Sequence, residues 1–201
     1  MTNAIKKIYE NKLVGIIREN DSKKAIEIAK AYIEGGIKII EMATPVEAIK
    51  EIAKNDEIIV GMGGIITREQ AHEAINAKAK FLVSPILQMG LVKLSSGYKI
   101  PLILTATTPN EAYLAWQARI PLIKIYPIKD LGGPTYVEEL LRPMSFLNVM
   151  PTGSIKLNDI EDYIKAGSIA VGLGRELYLN KTFEEIKKTA KEAVKIANSN
   201  Q

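Results

Sequence analysis

The chain contains no cysteine and only one histidine. Without thiols there can be no disulfide, no thiolate nucleophile and no cysteine-held metal. The lone histidine, His72, cannot make a His-rich metal site or supply an ordinary Ser-His-Asp triad. It falls within a helical-period segment, where a surface or helix-packing role is expected.

Long apolar runs are also missing. None approaches the roughly 20 residues needed to cross a bilayer, and the opening MTNAIKKIYENK has no apolar stretch like that of a secretory leader. A cytoplasmic protein without membrane association is therefore expected. Net charge is +4, yet lysine and glutamate are interspersed rather than gathered into one basic block. That argues against nucleic acid as a partner and suits an anionic small molecule.

What is present is a regular alternation. With 201 residues, 47% of them hydrophobic and 25% charged, the chain can bury one substantial core, and residues 1–201 are expected to form one domain. Short apolar runs rich in isoleucine predict strands over 13–18, 37–42, 57–62, 80–85, 100–105, 120–126, 147–151 and 168–174. Amphipathic segments such as 22–36, 67–80 and 108–120 separate them, and 183–198 closes the chain as a further helix. Ser22, Thr67 and Asn158 are candidate N-caps, while Gly35-Gly36 and Gly167 are candidate helix ends.

Eight such units after a short N-terminal helix predict a (β/α)8 TIM barrel. An open doubly wound sheet is the alternative, but GIIREND after the first strand is not a dinucleotide-binding glycine fingerprint. In a barrel the chemistry gathers where strands end. The residues there are Arg18, Glu41, Gly63, Gly64, Ser84, Pro85, Thr105, Lys124, Thr152, Gly153, Ser154, Gly172, Leu173, Gly174 and Arg175.

Two of these are ionisable groups inside apolar strands: Glu41 in IKIIEM and Lys124 in PLIKIYP. Alternation allows Leu122, Lys124 and Tyr126 to face the barrel interior, with Ile123 and Ile125 facing the helices. Burial disfavours an ammonium, and a neutral amine can attack a carbonyl carbon. A carboxylate across the mouth could then shuttle protons. A structural ion pair explains the same two residues, and the pattern leaves both readings open. Arg18 suits a substrate carboxylate or simply ends its strand. The segments PTGSI and VGLGREL follow strands seven and eight, a frequent phosphate position in barrels. Tyr113 and Trp116 are expected to pack a helix against the barrel.

The ordered set VGIIREND, EGGIKIIEM, IIVGMGGI, FLVSPIL, IKIYP, MPTGSI and AGSIAVGLG resembles the 2-keto-3-deoxy-6-phosphogluconate (KDPG) aldolase family, which includes 4-hydroxy-2-oxoglutarate aldolases. The resemblance implies a class I aldolase with a Schiff-base lysine at Lys124 and a general acid/base at Glu41. It further implies reversible formation of pyruvate and an aldehyde such as glyceraldehyde 3-phosphate, a homotrimer of barrels, and no metal or other cofactor. Among the other strand-end residues, Arg18, Gly64, Ser84, Pro85, Thr105, Thr152, Gly153, Ser154, Gly172, Gly174 and Arg175 become candidate substrate contacts.

Several positions depart from the family pattern. EMATPVEAI has Pro45 near the position of an arginine, GMGG stands for GAGT, PTGS for PTGG, and GLGR for GxGS, so Arg175 replaces a phosphate-binding serine. Arg175 and Arg18 can act as substitute anion anchors. A different substrate, isomerase-type chemistry on a sugar phosphate, or a non-catalytic anion-binding barrel are the alternatives.

Overall fold

The computed structural model describes residues 2–199. The first half runs α1 (Asn3–Asn11), β1 (Leu13–Arg18), α2 (Ser22–Glu34), β2 (Ile39–Ala43), α3 (Val46–Ile52), β3 (Ile59–Met62), α4 (Arg68–Asn76) and β4 (Leu82–Ser84). The second half follows with α5 (Val92–Tyr98), β5 (Leu102–Ala106), α6 (Pro109–Gln117), β6 (Ile123–Ile125), α7 (Pro134–Leu141), β7 (Val149–Pro151), α8 (Ile160–Lys165), β8 (Val171–Leu173), α9 (Arg175–Tyr178) and α10 (Phe183–Asn198).

All strand pairs are parallel, and the order is β7-β6-β5-β4-β3-β2-β1-β8. The remaining seam is joined by the Ile169 N–H donating to the Val149 carbonyl at 3.0 Å and by a bridge between Thr152 and Gly172. The sheet thus curls into a (β/α)8 barrel rather than an open doubly wound layer.

Several strands are shorter than the apolar runs that announce them. β6 covers only Ile123–Ile125 within the predicted 120–126, although Ile120 and Leu122 are buried. Apolar pattern reports burial, whereas strand pairing requires a neighbour in register.

Alternation separates two cores. Val14, Ile16, Ile39, Phe81, Ile103, Leu122 and Met150 fill the interior, joined by Ala4, Ile5 and Ile8 of α1. Ile17, Ile40, Val60, Leu104, Ile123 and Ile125 instead pack into the layer shared with the surrounding helices. Because α1 contributes to the interior core from before β1, it plugs the amino end. The carboxyl end is left for chemistry. Close packing is evident at Gly61, where an added Cβ would lie 2.4 Å from the Phe81 ring.

Helix starts follow capping chemistry. Thr67, Thr108 and Thr182 each form a capping box, with Gln70, Glu111 and Glu185 returning the bond. The cap of α2 is Asp21 rather than Ser22, because the Asp21 carboxylate accepts from the Lys24 N–H. Asn158 lies within a short 3-10 turn, Leu157–Asp159, rather than at a cap. Gly36 and Gly167 take the left-handed conformations expected after a helix, at φ +94° and +99°.

The packing expected of Tyr113 and Trp116 is not found. Both are exposed and stacked on each other at 5.8 Å, and Trp116 also meets Phe146 at 4.5 Å. Ala112 and Ala115 occupy the buried side of α6. His72 is exposed and meets Tyr98 edge-on, a surface contact between α4 and α5.

Candidate active site

Glu41 on β2 follows interior Ile39 by two residues, and Lys124 on β6 follows interior Leu122 by two. The period of two therefore directs both inward. The Lys124 Nζ donates to both carboxylate oxygens of Glu41, at 2.8 Å to Oε1 and 2.9 Å to Oε2. Only 2% of Glu41 and 8% of Lys124 is exposed. A buried charge without its partner is costly, so this geometry holds each group in place while keeping the lysine amine beside a proton acceptor.

Space for the carboxylate comes from the residue that follows β3. A Cβ on Gly63 would lie 2.6 Å from Glu41 Oε1 and 3.0 Å from its Cγ. The absence of a side chain at this position is what lets Glu41 reach Lys124. Gly64 follows at φ +80°, a left-handed conformation that glycine adopts without a Cβ penalty.

Thr105 on β5 is the register partner of Lys124 and is buried. Its hydroxyl donates to the Ser84 carbonyl at 2.6 Å. Interior Val83 precedes Ser84, so alternation turns the Ser84 side chain toward the helix layer. Ser84 thus presents its backbone rather than its hydroxyl. Pro85 is exposed beyond it.

On the opposite side, Thr152 is buried and its hydroxyl has no hydrogen-bond partner. Gly172 makes room for it, since a Cβ there would lie 2.3 Å from Thr152 Oγ1. Gly153 and Ser154 have φ of +115° and +54°, which bends the chain sharply after β7. Gly174 precedes α9 and the exposed Arg175 opens it. Arg18 follows interior Ile16 by two residues and is exposed at the mouth.

The site thus brings Glu41 and Lys124 into direct contact, surrounded by residues from the ends of several strands. Such an assembly can transfer a proton between amine and carboxylate and can present the amine to a carbonyl. Among the described residues, no group of three or more His, Cys, Asp or Glu is placed to hold a metal. No helix among them is long and apolar enough to cross a membrane.

Two features of the site escaped sequence reading. Gly63 was visible as a strand-end glycine, but its clearance for Glu41 is a contact between strands. Tyr178 lies in α9, and its hydroxyl accepts from the Arg18 N–H at 3.4 Å and donates to the Arg18 carbonyl at 3.0 Å. The hydroxyl-bearing aromatic one turn after β8 was the available signal.

Comparison with known proteins agrees with this architecture. Residues 4–194 match the family model described as KDPG and KHG aldolase. The KHG/KDPG aldolase of Escherichia coli strain K12 is 31% identical over 162 residues, covering 78% of this chain and 76% of the relative. The 2-dehydro-3-deoxy-phosphogluconate aldolase of Treponema pallidum is 30% identical over 158 residues, covering 76% and 75%. A 2-dehydro-3-deoxy-6-phosphogalactonate aldolase of Escherichia coli is 24% identical, with 90% of each covered. Among solved structures, the KDPG aldolase from Legionella pneumophila, with pyruvate captured as a covalent carbinolamine, shares the fold at a TM-score of 0.85. It is 22% identical, with 94% of this chain and 97% of that chain covered.

Proposed function

This chain belongs to the KDPG and KHG aldolase family and is a lyase, and on that premise we propose that it cleaves a 2-keto-3-deoxy sugar acid through an imine on Lys124. The observation carrying this reading is the double hydrogen bond from Lys124 Nζ to Glu41 inside the barrel. A charge-paired lysine is not itself nucleophilic. A proton passed along the 2.8 Å contact to Glu41 gives a neutral amine without changing the net charge of the pair.

In this mechanism the amine lone pair attacks C2 of the keto acid, and the carbonyl π pair moves to oxygen and is protonated. Glu41 removes the nitrogen proton of the carbinolamine and supplies one to the departing hydroxyl, which leaves as water. The resulting iminium accepts the electrons of the C3–C4 bond, while the C4 hydroxyl gives up its proton and becomes an aldehyde. Protonation of the enamine at C3 and hydrolysis release pyruvate. Glu41 is the proton carrier throughout.

Arg18 is assigned to the substrate carboxylate, and Arg175 to an anionic group at the far end of the substrate. Gly64, Pro85, Thr105, Thr152, Gly153, Ser154, Gly172 and Gly174 form the surrounding contacts, with Ser84 contributing through its carbonyl. The preferred substrate in this reading is 2-keto-3-deoxy-6-phosphogluconate, giving glyceraldehyde 3-phosphate as the aldehyde. The phosphogalactonate aldolase among the relatives makes the corresponding galactonate derivative the second choice.

We assign the working form as a cytoplasmic homotrimer on the family resemblance. The exposed aromatic stack of Tyr113, Trp116 and Phe146 supports a protein contact, and sedimentation equilibrium tests the trimer.

Pyruvate release should be assayed with the gluconate and galactonate phosphates and with the unphosphorylated acid, using coupled lactate dehydrogenase. The reading predicts turnover of the gluconate phosphate and its loss in Lys124→Ala. Failure to turn over all three would refute it.

A further inference from the structure

β1 extends beyond the strand that flanks it. Its pairing with β2 continues to Arg18 opposite Ala43, whereas pairing with β8 stops at Gly15 opposite Leu173. The residues after Gly15 therefore lose their ladder on the β8 side. Two tyrosines serve this overhang: Tyr32 donates to the Ile16 carbonyl at 3.4 Å, and Tyr178 engages both backbone polar groups of Arg18. A single hydroxyl acting as both donor and acceptor replaces the missing strand at Arg18.

Alternation from interior Ile16 puts the Arg18 side chain on the mouth side, and it makes no ion pair among the described residues. Nearby acids are already occupied. Glu19 accepts from the Asn20 and Asp21 N–H groups at 2.8 and 3.1 Å, and Glu176 of α9 pairs with Lys156 at 2.7 Å. The guanidinium remains available for an external carboxylate.

We propose that Tyr178 is a positioning residue that fixes the end of β1, so that Arg18 is aimed at the carboxylate of a 2-keto acid bound to Lys124. This rests on the aldolase reading above. It adds a link that the reading does not contain: α9 contributes to keto-acid affinity through the backbone of another strand. Fixing the Arg18 Cα reduces the freedom its long side chain must lose on binding.

The test is the pyruvate dependence of reductive trapping on Lys124, measured for wild type, Tyr178→Phe, Arg18→Ala and the double variant. Tyr178→Phe removes one hydroxyl, and its melting temperature reports folding separately. It should raise the half-saturating pyruvate concentration about threefold to tenfold, as expected for losing the alignment given by one or two hydrogen bonds, with the plateau retained. Arg18→Ala should raise it further, and Tyr178→Phe should add nothing in that background. An unchanged half-saturating concentration in Tyr178→Phe, with or without a lower melting temperature, overturns the proposal. So does a full Tyr178→Phe shift in the absence of Arg18. Failure of wild type to trap pyruvate would instead refute the aldolase reading, and the proposal with it.

Discussion

Lys124 and Glu41 are 83 positions apart in the chain, yet the lysine Nζ lies 2.8 and 2.9 Å from the two glutamate oxygens. β6 and β2 occupy separated places in the barrel order, so the contact crosses the interior rather than following a ladder. Its burial makes each charge depend on the other.

Lys124→Met should therefore destabilise the fold by about 3–5 kcal/mol, the usual consequence of removing one partner from a buried pair. The double variant Lys124→Met/Glu41→Gln should recover much of that loss, since no carboxylate remains unpaired. Urea denaturation at neutral pH checks both values, and neither variant should turn over substrate.

Gly63→Ala is expected to affect chemistry more than folding. The new methyl would occupy a point 2.6 Å from Glu41 Oε1, so the carboxylate must leave its place beside Lys124. A fall in kcat of at least about tenfold is expected, because misplacing a proton carrier by 1 Å can cost more than that. Gly97→Ala provides the contrast: nothing lies within 4 Å of its Cβ position in α5. That change should stabilise the protein by about 0.5–1 kcal/mol without altering kcat.

Arg175→Ala should discriminate between substrates. If Arg175 holds a distal phosphate, KM for the phosphorylated acid rises about tenfold while that for the unphosphorylated acid stays close to wild type. Equal KM values for wild type and variant on the phosphorylated acid would remove Arg175 from the site.

Glu111 gives a pH signature. Hydrogen bonds from the Thr107 and Thr108 N–H groups hold its carboxyl below the usual range. A carboxyl lowered on folding adds stability that is complete above its unfolded value and is lost as pH falls through its folded value. The stability difference between wild type and Glu111→Gln should thus be greatest at neutral pH and shrink on acidification. Denaturation midpoints across an acid series measure it.

The sequence made the barrel legible because its strands are apolar on both faces, and Lys124 and Glu41 broke that pattern. Alternation gave the direction of Lys124, since Leu122 lies in the interior core, whereas Tyr126 lies past the end of β6 and is exposed. Other features depend on partners distant in sequence. The clearance at Gly63 requires β2 beside β3, and the Tyr178 contact requires α9 over the overhang of β1. Ser84 illustrates the limit of reading strand ends alone: it closes β4 as expected, but its parity turns the hydroxyl outward. The packing expected of Trp116 failed for a related reason, because the alanines of α6 supply enough apolar surface to bury one side while the large rings remain outside.

The central claim is that Lys124 forms a covalent imine. Incubation with pyruvate and sodium borohydride, followed by peptide mass spectrometry, tests it most directly. The account predicts a reduced pyruvyl adduct on Lys124 and on no other lysine, absent from Lys124→Ala. Folded protein carrying no adduct at Lys124 in excess pyruvate would contradict it.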